Sequence, residues 1–239
     1  MARRCSALRC LGVLTGDNGT GKTVCLKRLQ AFPSKYGVEG KTAYFLAATT
    51  AGPTRGLKDF LADRGVKQAI HQKGISMKLL TKLAYRELQE KDIRMLLVDE
   101  ADLIDTAALQ GFVSLSDTCR DLRFPIAVLF SGVRDPSLWI GPIGAAESRT
   151  LQYARLSALT PELITAVFSG WGRPVAQLAE QVKAKDKDAI GTIRAIHRAT
   201  KGNFRRLYFF ARLAALEHGE CRLTEEVVDE IFTKMARRT

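Results

Sequence analysis

This 239-residue sequence predicts an α/β fold: a parallel five-stranded sheet flanked by helices, followed by an all-helical C-terminal lid. Three observations predict it. Short apolar runs alternate with longer stretches of helical periodicity, as in a parallel sheet covered by helices. Two of those runs, "MLLVDE" and "IAVLFS", are continuously apolar, which suits strands buried on both faces. After Leu159 the strand-like runs stop and only helical patterns follow. With 46% hydrophobic residues, the chain can bury a substantial core.

In chain order, strands are expected at Cys10–Thr15, Thr42–Ala47, Ile93–Asp99, Pro125–Ser131 and Thr150–Leu156. Helices are expected over Lys22–Phe32, Ser76–Lys91 and Asp105–Thr118. "TPELITAVFSGW" opens the C-terminal region with Thr160 as cap and Pro161 at the first helical position. "PVAQLAEQVKAK", "DAIGTIRAIHRAT", "NFRRLYFFARLAALEHG" and "TEEVVDEIFTKMARR" continue it as helices. In the last, Thr224 is the cap, and Glu225 and Glu226 suit the positive helix end. In "LYFFARL", helical spacing assigns Tyr208, Phe209 and Leu213 to the core of this region rather than to base stacking. The expected division is therefore a core at 1–158 and a lid at 159–239.

Lys and Arg number 37 against 25 Asp and Glu, an excess of 12 positive charges. Such a surface attracts polyanions, nucleic acid foremost, although a basic, highly soluble protein would share the composition. Five scattered cysteines without a CxxC or Cys/His cluster imply neither a disulfide framework nor a zinc site. Reduced, buried thiols and a cytoplasmic location are expected. The start, "MARRCSALRCLGVL", is a poor signal peptide because Arg9 interrupts its apolar run. No segment approaches the roughly 20 apolar residues of a membrane span.

Gly16-Asp17-Asn18-Gly19-Thr20-Gly21-Lys22-Thr23, with Val24 following, satisfies G-x-x-x-x-G-K-[ST]. The glycines let successive N–H groups point at phosphate oxygens, and the helix opening at Lys22 adds its positive end. Lys22 can reach the β and γ phosphates, and Thr23 can place its hydroxyl on Mg²⁺. The motif follows an expected strand and opens an expected helix, which is its confirming context. Downstream, "MLLVDEAD" ends a strand in Asp99, suited to the Mg²⁺ water shell. Glu100 follows it, suited to deprotonate an attacking water. An acidic strand-to-helix cap would look similar, and Asp102 or Asp105 could equally serve as one.

A complete Walker A motif, a "VDEAD" Walker B motif and "TKGNFRRL" in a helical C-terminal region together resemble an AAA+ ATPase. More narrowly, the chain is similar to DNA-transposition regulators of the MuB/TniB/TnsC type, over nearly its whole length. The resemblance implies ATP and Mg²⁺ as ligands, self-assembly on double-stranded DNA as a ring or filament, and a transposase, with a target-selection protein, as partner. Hydrolysis would act as a timer on that assembly. A helicase-loader or initiator-type ATPase would carry the same site, and a nucleotide-gated switch that binds protein is a further alternative.

The resemblance also implies site residues. Ser131, closing "IAVLFS", takes the place of the residue that senses the γ-phosphate, although "SG" is also an ordinary strand-ending turn. Arg205, after Gly202, Asn203 and Phe204, matches the lid arginine that contacts nucleotide. Arg206 is its rival, pointing about 100° away on a helix. For the arginine inserted into a neighbour's site, Arg149 matches best, with Arg134 and Arg155 as other candidates. Relatives have residues ahead of the first strand that help cover the adenine. Here that strand starts close to Met1, so cover is expected to be missing or supplied by the lid. An N-terminal helix-turn-helix domain is not expected, which leaves DNA contact to the ATPase core. The stretch after the second strand offers Arg55, Lys58, Arg64, Lys67 and Lys73 to the DNA backbone, or forms a solvated basic face. His71, His197 and His218 are isolated and suggest no chemistry.

Overall fold

The structure, a computed structural model, describes residues 1–47, 52, 54–67, 74–219 and 221–236, with the side chains of 145, 147 and 151 left out. The chain divides into two compact units. One comprises Met1–Gly16 and Lys22–Leu156; the other comprises Asp17–Gly21 and Ser157–Thr239.

The first unit runs α1 (Ala2–Leu8), β1 (Leu11–Gly16), α2 (Lys22–Ala31), β2 (Lys41–Leu46), α3 (Arg55–Asp63), α4 (Met77–Glu90), β3 (Ile93–Asp99), α5 (Thr106–Asp121), β4 (Ala127–Gly132), α6 (Pro136–Trp139), α7 (Gly144–Glu147) and β5 (Thr150–Leu156). The strands form one parallel sheet in the order β2-β3-β4-β1-β5. Side chains alternate across a strand, so the central strands supply two cores. Leu11, Val13, Leu96, Val98, Val128 and Phe130 join the core beneath α3, α4 and α5. Leu14, Met95, Leu97, Ala127 and Leu129 join the opposite core with residues of α1 and α2. Gly12 permits the close approach of α1, since a Cβ there would meet Cys5 Sγ at 2.5 Å.

The expected strands and helices are all present, with ends that shift for local reasons. Ser76 and Asp105 stand outside their helices as N-caps, accepting from the N–H groups of Leu79 and Ala108 at 3.3 and 2.7 Å. The helix expected to reach Phe32 ends at Ala31, because the residue before Pro33 is disfavoured in the helical region. Three strands are offset from expectation by one or two residues, at Leu11–Gly16, Lys41–Leu46 and Ala127–Gly132.

Among the described residues, four helices of the first unit go beyond the expected set: the four-residue α6 and α7, and two longer ones. The N-terminal stretch forms α1, and the basic stretch after β2 contains α3. The latter has its signal in the sequence: Leu57, Phe60 and Leu61 fall at helical spacing and are fully buried. Phe45, Phe60 and Phe112 meet there with ring centroids 5.8 to 6.4 Å apart. Phe112→Ala is expected to destabilise this unit by about 3–5 kcal/mol in a denaturant titration, from lost burial plus a cavity. The expectation of buried thiols holds for Cys5, Cys10 and Cys119 but not for Cys25 and Cys221, which are exposed. Burial pushes the Cys5 and Cys119 thiols up to about 12, so neither is a nucleophile at neutral pH.

The second unit contains α8 (Pro161–Phe168), α9 (Val175–Lys183), α10 (Lys187–Thr200), α11 (Phe204–Glu217) and α12 (Glu225–Ala236), with no strand among the described residues. Thr160 caps α8 by accepting from Leu163 N at 3.4 Å. Phe168 stacks on Phe210 and Phe210 on Phe232. This corrects the assignment of Tyr208 and Phe209 to the core: they are 45% and 49% exposed. The buried face of α11 runs through Leu207, Phe210 and Ala214, and Leu213 is only partly buried beside it. Among the described residues, no helix is long and apolar enough to cross a membrane.

Candidate nucleotide site

β1 delivers the chain to Gly16 at the carboxyl edge of the sheet, and Lys22 opens α2. The first N–H groups of any helix lack intrahelical partners, so Lys22, Thr23 and Val24 present donors where the glycine-rich loop ends. Lys22 is 8% exposed, and its Nζ donates to the Gly16 carbonyl at 2.6 Å. The side chain therefore curls back towards the end of β1. Thr23 is half-buried and Val24 exposed.

Two strands along, β3 ends in Asp99, beside Ser131 near the end of β4. Pairing of Val98 with Phe130 sets the two side by side. Asp99 is fully buried, and its carboxylate takes three hydrogen bonds from described residues. Ser131 Oγ donates to Oδ1, as does Glu100 N at 3.0 Å, and Tyr44 OH donates to Oδ2 at 2.9 Å. A buried carboxylate needs such donors, because desolvating it unpaired is expensive. Burial first, then the Asp99 carboxylate, push the Tyr44 hydroxyl above its ordinary range, so it remains a donor.

Glu100 is the opposite of its neighbour. It is exposed and left-handed, with φ 54° and ψ 35°, a conformation that costs a non-glycine residue about 1–2 kcal/mol. That turn carries the chain sharply out of β3 and sets an exposed carboxylate directly after a buried one. The other acids take the capping roles. Asp105 caps α5, and Asp102 accepts from Val133 N and Arg134 N, both at 3.1 Å, fixing the turn after β4.

Within the second unit, Asn203 joins the loop segment Asp17–Gly21 to the start of α11. Its Nδ2 donates to the Asn18 carbonyl at 2.8 Å, and its Oδ1 caps α11 by accepting from Arg206 N at 3.1 Å. Arg205 N donates to the Gly19 carbonyl at 3.0 Å. Gly19 has φ 80°, and a Cβ there would meet the Asn203 amide at 2.5 Å, so both the backbone and the space require glycine. Thr20 Oγ1 closes the turn on the Asp17 carbonyl at 2.8 Å. The two rival arginines are both exposed, and Arg206 Nη1 donates to the Ala199 carbonyl at 3.4 Å.

The remaining candidates are dispersed. Arg149 is ion-paired with Asp117, and Arg134 Nε lies 3.5 Å from Asp102. Arg155 is exposed on β5. Arg55 is 59% exposed and pairs with Asp59 one helical turn on. Lys58 is half-buried and Lys67 exposed. Arg64 instead serves the fold, holding the buried Glu87 at 2.7 Å together with Lys91 at 2.6 Å. Lys73 and His71 lie outside the described residues. Tyr44 and Asn203 are additions to the residues given a role from sequence. Tyr44 sits inside "KTAYFL", an ordinary strand, and only the β2–β3 pairing brings its hydroxyl to Asp99. Asn203 does carry a signal, as a polar residue directly before a helical run.

Residues 8–137, more than half of the chain, match the family model described as "AAA domain". No curated protein matches the chain significantly. Among solved structures, the ORC2 protein of Aeropyrum pernix in its ADP form is similar over 98% of this chain and 67% of its own, at 17% identity and TM-score 0.63. Cdc6p from Pyrobaculum aerophilum is similar over 94% of this chain and 60% of its own, at 22% identity and TM-score 0.62. Drosophila ORC bound to DNA is similar over 95% and 62%, at 14% identity and TM-score 0.57. At these identities the likeness is one of fold, and this chain spans about two thirds of those chains or less.

Proposed function

We propose that this chain, which belongs to the AAA domain family, binds ATP, hydrolyses it to ADP and phosphate, and uses the bound nucleotide to hold copies of itself on duplex DNA. One observation carries this reading. At one edge of the sheet the neighbouring strands β3, β4 and β1 bring Asp99, Ser131 and Gly16 together, and an exposed carboxylate, Glu100, comes next. The carboxyl edge of an open parallel sheet is where such folds take their ligands.

The roles follow from the chemistry. Backbone N–H groups from Gly16 to Val24 would cradle the phosphates, with Lys22 on the β and γ groups. Thr23 and Asp99 would hold Mg²⁺, which keeps several waters and asks for few protein oxygens. A half-buried hydroxyl and one carboxylate held in a fixed orientation fit that demand. Bound there, Mg²⁺ would neutralise phosphate charge. Glu100, exposed where Asp99 is buried, would take the proton of the attacking water. Ser131 would register the γ-phosphate, and Arg205 would contact the nucleotide from the C-terminal helices. Arg149 is the arginine proposed to act on a neighbour's nucleotide, which requires it to leave Asp117. The proposed functional division is 1–158 as core and 159–239 as helical lid.

The excess of 12 positive charges supports DNA as the polyanion, with Arg55, Lys58, Lys67 and Lys73 as proposed backbone contacts. The client is proposed to be a transposase, together with a target-selection protein, in regulated DNA transposition. A second reading, an initiator or helicase loader, is favoured by the likeness in fold to ORC and Cdc6 proteins. Binding assays against a transposase and against a replicative helicase separate the two.

Electron microscopy with random-sequence duplex and a slowly hydrolysed ATP analogue tests the common part. Assemblies on DNA are expected only with the analogue. With about four phosphate contacts, affinity should fall about 10²-fold between about 50 and 200 mM salt. A monomer that ignores duplex DNA at low salt overturns the proposal.

A further inference from the structure

We propose that Tyr44 is a positioning residue for the Mg²⁺–nucleotide complex, acting through the Asp99 carboxylate; this rests on the nucleotide reading above. A carboxylate offers about four acceptor sites, two on each oxygen. At Asp99, Oδ1 accepts from both Ser131 Oγ and Glu100 N, and Oδ2 accepts from Tyr44 OH at 2.9 Å. Among the described residues, that leaves a single acceptor site, on Oδ2. The oxygen that Tyr44 holds is thus the one with room to accept a further hydrogen bond, or to serve as a ligand oxygen, on the Mg²⁺ side. Without Tyr44, Oδ2 would have two open sites, and the direction in which it accepts would no longer be defined.

The three donors come from three different places. Ser131 reaches across from β4, Glu100 N belongs to the turn that ends β3, and Tyr44 reaches from β2 on the other side. The carboxylate is clamped from both neighbouring strands, so its plane cannot rotate without breaking a bond. Tyr44 is itself steadied by Lys27 of α2, whose Nζ lies 5.7 Å from the ring centroid. Groups that orient a metal-side carboxylate are worth about 10–100-fold in metal affinity elsewhere.

The test is Tyr44→Phe, which removes one oxygen and leaves the ring. The measurement is the dissociation constant of a fluorescent ATP analogue with Mg²⁺ and with chelator, alongside the melting temperature. In the unaltered protein Mg²⁺ should tighten binding. In Y44F that Mg²⁺-dependent gain should shrink about 10-fold, while the Mg²⁺-free constant stays within about twofold. A merely structural role would weaken both constants together or lower only the melting temperature, and either result overturns the inference. An undiminished Mg²⁺ gain in Y44F overturns it too, with the nucleotide reading intact. If the unaltered protein fails to bind the analogue at all, the nucleotide reading itself falls, and the inference with it.

Discussion

Glu100→Gln is expected to lower ATP turnover by about 10²–10⁴-fold, the usual worth of a positioned general base, while nucleotide affinity changes little. The substitution is close to isosteric and removes only the ability to accept a proton. Glu100 lends itself to so clean an experiment because its side chain is exposed while its backbone N–H is bonded to Asp99. The glutamine variant keeps that N–H and therefore keeps the Asp99 clamp. The left-handed backbone at this position is tolerated no worse by glutamine than by glutamate, so the fold should be unaffected. Complexes on DNA should outlive those of the unaltered protein, because ATP is no longer consumed. Phosphate release measured at saturating ATP checks the first expectation, and DNA dissociation after dilution checks the second. Turnover and lifetime both unchanged would remove Glu100 from the chemistry.

Lys22→Ala should fail earlier, at binding. An ammonium on phosphate oxygens makes charge-assisted hydrogen bonds worth about 1.5–3 kcal/mol each. Losing one or two of them weakens nucleotide affinity by about 10²-fold. DNA binding that depends on nucleotide should disappear with it. The fold should survive, because a buried ammonium carries a desolvation cost that the variant no longer bears. Calorimetry with an ATP analogue checks the affinity, and a thermal melt without nucleotide checks the fold. The two variants thus separate two failures: Lys22→Ala abolishes loading, and Glu100→Gln abolishes release.

Much of the architecture is legible in the sequence for a physical reason. β3 and β4 are buried on both faces, so no polar residue interrupts their apolar runs. Helix starts are legible where a side chain must satisfy orphan N–H groups, as at Ser76, Asp105 and Thr160. The helix at Arg55–Asp63 is harder to see, because its basic residues mask the spacing of Leu57, Phe60 and Leu61. Charge counts a side chain without saying where it points. Arg64 is the example: by composition it belongs to a DNA-facing basic stretch, and in the fold it holds the buried Glu87. Tyr208 and Phe209 show the same weakness for apolar residues, because several consecutive aromatics fit more than one helical phase, and packing selects Phe210.

The sequence by itself determined the strands, their alternation with helices and the two motifs that end β1 and β3. Those depend on spacing along the chain and on the polarity of single residues. Only the tertiary structure decided that Tyr44 and Ser131 meet Asp99 from either side, that Asn203 both caps its helix and holds the Asn18 carbonyl, and that Arg149 and Arg64 are already paired. Such contacts join residues far apart in the chain. They depend on strand order and register, which follow from how the whole set of apolar surfaces is buried at once and not from any local stretch.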